Sequence, residues 1–273
     1  MTKLSSPFTM RIPPIALPKV KDHHLVGVFG DFEQVVRSRI AQLSVGRHPF
    51  HRYKIRLFNH LLEIVSAEKY GEIQARFLGP GGVDPKADTA KYLDPIVWFE
   101  SKLMTALRLG LHEAPSRQIL DLGAGPGHFC FVARFLGHQV VGTEVPVRPT
   151  GAGAEGRLFD ALCELFEVDR IRYRIEPDTA LTGLGGPYDL VTGFLTAFNI
   201  DEEKRPWTVK NWRFFFVSLS RNVLKPGGSV YFSLTNNKIT PEVWDYLRAR
   251  SSWHNDTSKA IFFETIETFV AQR

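Results

Sequence analysis

Residues 119–127 read Ile-Leu-Asp-Leu-Gly-Ala-Gly-Pro-Gly, and a lone acid, Glu144, closes the next apolar run. Glycines at positions 123, 125 and 127 make a turn in which backbone N–H groups can approach a ligand that any side chain would push away. Asp121 stands where the strand feeding that turn runs out. A carboxylate, a bare backbone and a second carboxylate therefore converge at the kind of place where α/β proteins bind nucleotide-like ligands. Glu144 is the residue type that accepts hydrogen bonds from both hydroxyls of a ribose, each contributing roughly 1.5–3 kcal/mol. The turn contains no Lys or Arg, which disfavours a phosphate. A dinucleotide turn needs Gly-x-Gly-x-x-Gly, and the sixth position counted from Gly123 is His128, so the third glycine is missing there.

The elements that must position these groups follow from periodicity. Ile119, Leu120 and Leu122 read as a buried parallel strand, and an amphipathic helix follows Gly127. A second strand covers 139–145. A third covers 171–175 and leaves Glu176, Pro177 and Asp178 at its exit. Residues 188–194 form a fourth strand, a helix over 209–224 stops at Lys225-Pro226-Gly227-Gly228, and 229–234 form a fifth strand. A helix over 94–109 leads into the first strand, and another spans 241–250.

An acid followed by Gly-x-Gly-x-Gly at 121–127, an acid closing the second strand and a Leu-Lys-Pro-Gly-Gly turn at 224–228 together resemble class I S-adenosylmethionine-dependent methyltransferases. The resemblance covers about residues 90–240. It implies an enzyme with a Rossmann-like, doubly wound, mostly parallel α/β sheet, strand order 3-2-1-4-5 and an antiparallel hairpin at the end. Only 260–271 remains for that hairpin, barely one long strand or two very short ones. The implied cofactor is S-adenosyl-L-methionine. Asp121 would approach its amino group, and Gly123, Ala124, Gly125 and Gly127 would leave room for its amino-acid portion. Glu144 would hold the ribose, and Asp178 (or Glu176) would lie near the adenine. Phe194 closes the fourth strand, and Tyr92 is a lid from the segment before the first strand.

The acceptor class follows largely by elimination. After the fourth strand the chain reads Gly-Phe-Leu-Thr-Ala-Phe-Asn, without the Asn/Asp-Pro-Pro-aromatic motif of amino-methylating nucleic-acid enzymes. Neither Cys130 nor Cys163 follows a proline, as a cytosine-C5 nucleophile does. A small-molecule O- or N-acceptor is the leading class, and no catalytic base is visible. His128, Asn199, Trp207 and Asn236 are the acceptor-side candidates, with Asp201, Trp212 and Asn237 nearby. Two alternatives remain open: an RNA-directed methyltransferase or non-catalytic cofactor- or RNA-binding module on the same fold, and a NAD(P)-dependent oxidoreductase, which the glycine spacing disfavours.

The chain has 273 residues, 44% of them apolar and 23% charged, enough for one large α/β domain with a helical addition. No apolar run approaches the roughly 18 residues of a membrane span, and Pro13, Pro14 and Pro18 interrupt the one candidate leader. A cytoplasmic protein is expected. Cys130 and Cys163 read as reduced core thiols, and His48 with His51 lacks the further ligands a metal needs. Charge is uneven: residues 1–80 hold 12 Lys+Arg against 6 Asp+Glu, and the rest hold 22 against 23. The organisation expected is a flexible arm over 1–22, a basic helical cap over 23–89 and the cofactor-binding domain over 90–273. Helical periodicity runs over 29–45 and 50–78, with Phe58, Leu61, Leu62 and Val65 on one face. A nucleic acid would use the densest basic group, Arg47, Arg52, Lys54 and Arg56. A cap over a small-molecule pocket is the favoured reading.

Overall fold

The structure is a computed structural model, and it describes residues 30–46, 48–79, 90–145, 154–196, 198–200, 203, 205–235 and 238–270. The arm at 1–22, Arg47, Asp201, Asn236 and Asn237 lie outside these. Three helices come first: α1 (Phe32–Val45), α2 (His51–Ile64) and α3 (Ala67–Leu78). The single helical run read over 50–78 is thus two helices. Ser66 divides them because its side chain accepts from the Lys69 N–H and caps α3, satisfying a donor that a continuous helix would not leave free. A short 3₁₀ turn, Ala90–Leu93, precedes α4 (Pro95–Arg108). Asp94 caps α4 by accepting from the N–H groups of Ile96 and Val97, with Pro95 in the first turn where no N–H is needed.

The sheet follows as β1 (Gln118–Leu122), α5 (His128–Phe135), β2 (Gln139–Glu144), α6 (Ala154–Leu165), β3 (Arg170–Arg172) and β4 (Tyr188–Thr196). Then come α7 (Val209–Asn222), β5 (Leu224–Leu234), α8 (Pro241–Arg248), β6 (Trp253–Asn255), β7 (Ala260–Phe263) and α9 (Glu267–Val270). Its order is β3-β2-β1-β4-β5-β7-β6. Strands β1 to β5 pair in parallel, and β7 is antiparallel to both β5 and β6. The doubly wound α/β class and the 3-2-1-4-5 order are as expected. The final hairpin fits because β6 begins at Trp253, inside a stretch that carried no strand signal: three residues suffice for an edge strand.

Period-two alternation places β1 between two cores. Ile119 belongs to a cluster with Phe99, Phe129 and Phe131 on one face, and Leu120 and Leu122 to a cluster with Trp212 and Phe216 on the other. Asp121 therefore points to the same face as Ile119, towards α4 and α5. The N-terminal helices share that core through Phe32, Leu57, Phe58 and Leu61. The ion pairs of Glu100 with Arg39 (2.6 Å) and Lys54 (2.5 Å) fasten α1 and α2 to α4. The Lys54 charge is thereby spent inside the fold. Arg56 lies over the Phe135 ring, and Arg52 over that of Tyr53.

Candidate functional site

The order of the sheet reverses at β1, which pairs with β2 on one side and β4 on the other. A cavity of about 790 Å³ opens at the C-terminal ends of these strands, where open α/β sheets hold their ligands. The glycine turn forms its floor. Gly123, Gly125 and Gly127 take φ of 66°, 54° and 81°, a region that other residues enter only at a cost.

The turn's donors are committed to β2. The Gly123 N–H donates to the Thr143 hydroxyl (3.0 Å), the Ala124 N–H to the Thr143 carbonyl (2.8 Å) and the Gly125 N–H to the Glu144 carboxylate (3.1 Å). Behind them the Cys163 thiol and Arg170 guanidinium donate to the Gly125 carbonyl. The N–H groups of Gly123, Ala124 and Gly125 are thereby occupied within the protein. What the turn presents to the cavity is carboxylate. Glu144 accepts from Gly125 and Val145 and keeps lone pairs for a diol. The geometry also requires Gly142, which the sequence reading did not single out: a Cβ there would stand 2.6 Å from that of Ala124.

Asp121 is 1% exposed and accepts from the Thr192 hydroxyl at 2.7 Å and, more weakly, from the Cys130 thiol. Burial raises its pKa to about 6, against the lowering effects of Thr192 and Lys102. Facing the same cavity, Lys102 of α4 is lowered to about 8 by burial, with Asp121 opposing. His128 opens α5 beneath Trp98 and Phe99. Burial and, after it, Lys102 depress its pKa to about 3, so it is neutral and tied to the Tyr92 backbone.

Tyr92, Asp121, Gly123, Ala124, Gly125, Glu144, Phe194 and His128 all line the cavity. Gly127 does not. Its absent side chain makes room instead for Val168 and Cys163, which a Cβ would meet at 2.9 and 3.0 Å. Asp178 also stands apart: it is exposed at a φ of 57° and accepts from Asn211 near the start of α7, while Glu176 and Pro177 reach the cavity wall. Asn199 is fully buried and donates to the Lys238 carbonyl, tying the exit of β4 to that of β5. Trp207 is 2% exposed within a ring cluster with Phe198, Trp212 and Phe215, and borders a separate hollow beside Asp178. These two acceptor-side candidates are brought together with each other, through the Trp207 N–H and Asn199 carbonyl, but not with the cavity.

The sequence reading missed Trp98, Lys102, Phe129, Phe159 and Phe198, all of which face the cavity. Trp98 and Lys102 had one available signal, their i, i+4 spacing on the helix that feeds β1.

No family model matches the chain, and no curated protein does. Among solved structures it is similar to an amino pentose methyltransferase from Micromonospora echinaspora involved in calicheamicin biosynthesis, bound to SAM, at 18% identity and TM-score 0.37, over 52% of this chain and 54% of that one. It is also similar to a TehB-like SAM-dependent methyltransferase from Corynebacterium glutamicum, at 16% and 0.40, over 61% and 88%. A third is a ribosomal protein L11 methylase from Lactobacillus delbrueckii subsp. bulgaricus, at 15% and 0.36, over 61% and 74%. The chain spans about half the length of the first of these.

Proposed function

We propose that the protein is a methyltransferase that uses S-adenosyl-L-methionine. The observation that carries this reading is the pair of carboxylates, Asp121 and Glu144, that line the cavity over a glycine turn without Lys or Arg. Such a site suits a cationic nucleoside without phosphate and offers less to NADH, whose turn needs a third glycine where this chain has His128.

When bound, the sulfonium supplies an electrophilic methyl group that an acceptor takes by in-line displacement. The chain's part is to bind and orient. Glu144 would hold the ribose diol and Asp121 would face the ammonium. Tyr92, packed on Trp98 and Phe159, would cover the ligand from the segment before β1. Holding two reactants in line supplies much of such a rate, and a base is needed only where the acceptor arrives protonated. His128, depressed to about 3, is unsuited to be one.

The acceptor side favours a small molecule with an O- or N-nucleophile. It is walled by Phe129, Phe194, Phe198 and Ile200, an apolar surface. The RNA-directed reading loses Lys54, which is held by Glu100, while Arg52 and Arg56 stay exposed beside aromatic rings. Among the described residues, no helix is long and apolar enough to cross a membrane.

Calorimetry with S-adenosylhomocysteine and with NADH tests the cofactor. The thioether nucleoside is expected to bind and NADH not to. Glu144→Ala is expected to weaken the former by about 2–4 kcal/mol, roughly 30- to 1000-fold, in a folded protein. NADH binding without any heat from either sulfur nucleoside overturns the reading.

A further inference from the structure

Several partly buried cations of this fold are paired. Lys54 and Arg39 share Glu100, Arg170 holds Asp160 at 2.5 Å, and Lys225 holds Asp189 at 2.9 Å. Lys102 is different. Its ammonium lies 3.6 Å from the centroid of the Phe194 ring and 5.9 Å from that of Trp98, and it has no ion pair or hydrogen bond among the described residues. A ring face stabilises an ammonium by only about 0.5–2 kcal/mol, less than a partly desolvated charge loses by leaving water.

The direction in which it points is fixed by local structure. Lys102 and Trp98 are one turn apart on α4, and their shared face lies over the end of β1 and lines the cavity. Asp121 is on the facing wall and feels the Lys102 charge, but does not pair with it. The other cation lining the cavity, Arg174, is exposed and follows β3, on the far side of β2. At the β1–β4 end, one anion and one cation are therefore held apart across open space. A ligand that satisfies both carries an ammonium and a carboxylate.

Building on the cofactor reading above, we propose that Lys102 binds the carboxylate of the cofactor's amino-acid portion while Asp121 faces its ammonium, so that the cavity recognises a zwitterion and not the nucleoside alone. Phe194 and Trp98 hold the ammonium in place until the carboxylate arrives. A Lys here also explains how a glycine turn free of basic residues can serve an anionic group: the charge comes from the preceding helix.

The test is calorimetry with two probes, S-adenosylhomocysteine and 5′-methylthioadenosine, which keeps the nucleoside and thioether but has no amino acid. Lys102→Met is expected to weaken the first by about 10- to 100-fold and to leave the second within about twofold. Lys102→Arg, which keeps the charge, is expected to recover most of the loss. Met removes a poorly solvated charge, so the variant's melting temperature is expected to be no lower than that of the parent. Equal weakening of both probes assigns Lys102 to the shape of the cavity and overturns the proposal. Unchanged S-adenosylhomocysteine binding in folded Lys102→Met overturns it too, in favour of a charge that meets the acceptor, and leaves the cofactor reading standing. Failure of the parent protein to bind either probe removes the cofactor reading, and this assignment with it.

Discussion

The two sides of the cavity are built from different forces. On the β1–β2 side nearly every polar atom of the turn is bonded before any ligand arrives: Gly123, Ala124 and Gly125 donate to β2, and Arg170 and Cys163 hold the turn from behind. On the β4–α7 side Phe198 lines the cavity and is backed by Trp207, Trp212 and Phe215 in a mutual ring cluster, and the indole N–H groups of Trp207 and Trp212 are buried without a partner among the described residues. One wall is fixed by hydrogen bonds of defined direction, the other by packing, which any set of rings of suitable volume can satisfy. Such a division suits a constant ligand on the first side and a variable one on the second.

The largest effect is expected where the hydrogen-bonded wall is pushed from behind. Gly127→Ala places a Cβ 2.9 Å from Val168 and 3.0 Å from the Cys163 sulfur, at a φ of 81°. The left-handed conformation costs about 1–2 kcal/mol for a residue with a Cβ, and overpacking about 1–3 kcal/mol more. Denaturant unfolding is expected to show a loss of about 2–5 kcal/mol, with weaker S-adenosylhomocysteine binding in whatever remains folded. Full stability would mean that the turn can shift off α6, and that the wall is less rigid than its bonds imply.

This contrast also decides what could be read from the sequence. The turn, Asp121 and Glu144 were legible because each is local: alternate glycines mark a turn, and an acid at a strand end marks the strand's exit. The strand order came with the family resemblance that these residues carry. Gly127 was assigned to the ligand because its spacing is shared with Gly123 and Gly125, and only the approach of α6 and Val168 reveals that it serves packing. Asp178 and Glu176 are two residues apart on an irregular exit from β3, where no periodicity says which acid turns inward. Lys102 was hidden for another reason. On a helix surface a lysine is ordinarily solvated, and only the position of α4 over the end of β1 turns it into the cavity. Asn199 and Trp207 lie beyond β4, where chain proximity to a strand end gives no side-chain direction.

A middle-sized effect separates charge from shape on the polar wall. The carboxyl of Asp121 titrates near 6 in the folded protein, above its ordinary value of 3.8, chiefly because it is buried. The native state then holds that proton more tightly than the unfolded chain does, so stability rises as pH falls from above 6 towards 4, and the penalty is present in full above 6. A shift of about two units corresponds to roughly 2–3 kcal/mol. Lys102, lowered from 10.5 to about 8, carries the opposite slope: its penalty is present below 8 and is relieved as pH rises from 8 towards 10.5. Both charges coexist mainly between 6 and 8, the window in which S-adenosylhomocysteine is expected to stabilise the fold most. Asp121→Asn is expected to flatten the acid slope and raise stability at pH 8 while weakening that ligand. Thermal melts from pH 5 to 9 check it, and an unchanged slope in Asp121→Asn would place the titration elsewhere.

The smallest effect belongs to the ring cluster, and its smallness is what sharpens the comparison. Trp207→Phe removes an indole N–H that is buried without a partner, which recovers part of its desolvation cost of about 1–3 kcal/mol. It also removes ring volume from a residue only 2% exposed, and incomplete collapse of that space costs a similar amount. The two nearly cancel, and a net change within about 1 kcal/mol is expected, set against the several expected for Gly127→Ala. S-adenosylhomocysteine binding is expected to stay unchanged, because Trp207 borders the hollow beside Asp178 and not the cavity of Asp121 and Glu144. A loss of more than about 3 kcal/mol in chemical unfolding would show that the rings on this side interlock as specifically as the hydrogen bonds do on the other. The difference between the two walls would then be one of chemistry alone and not of tolerance.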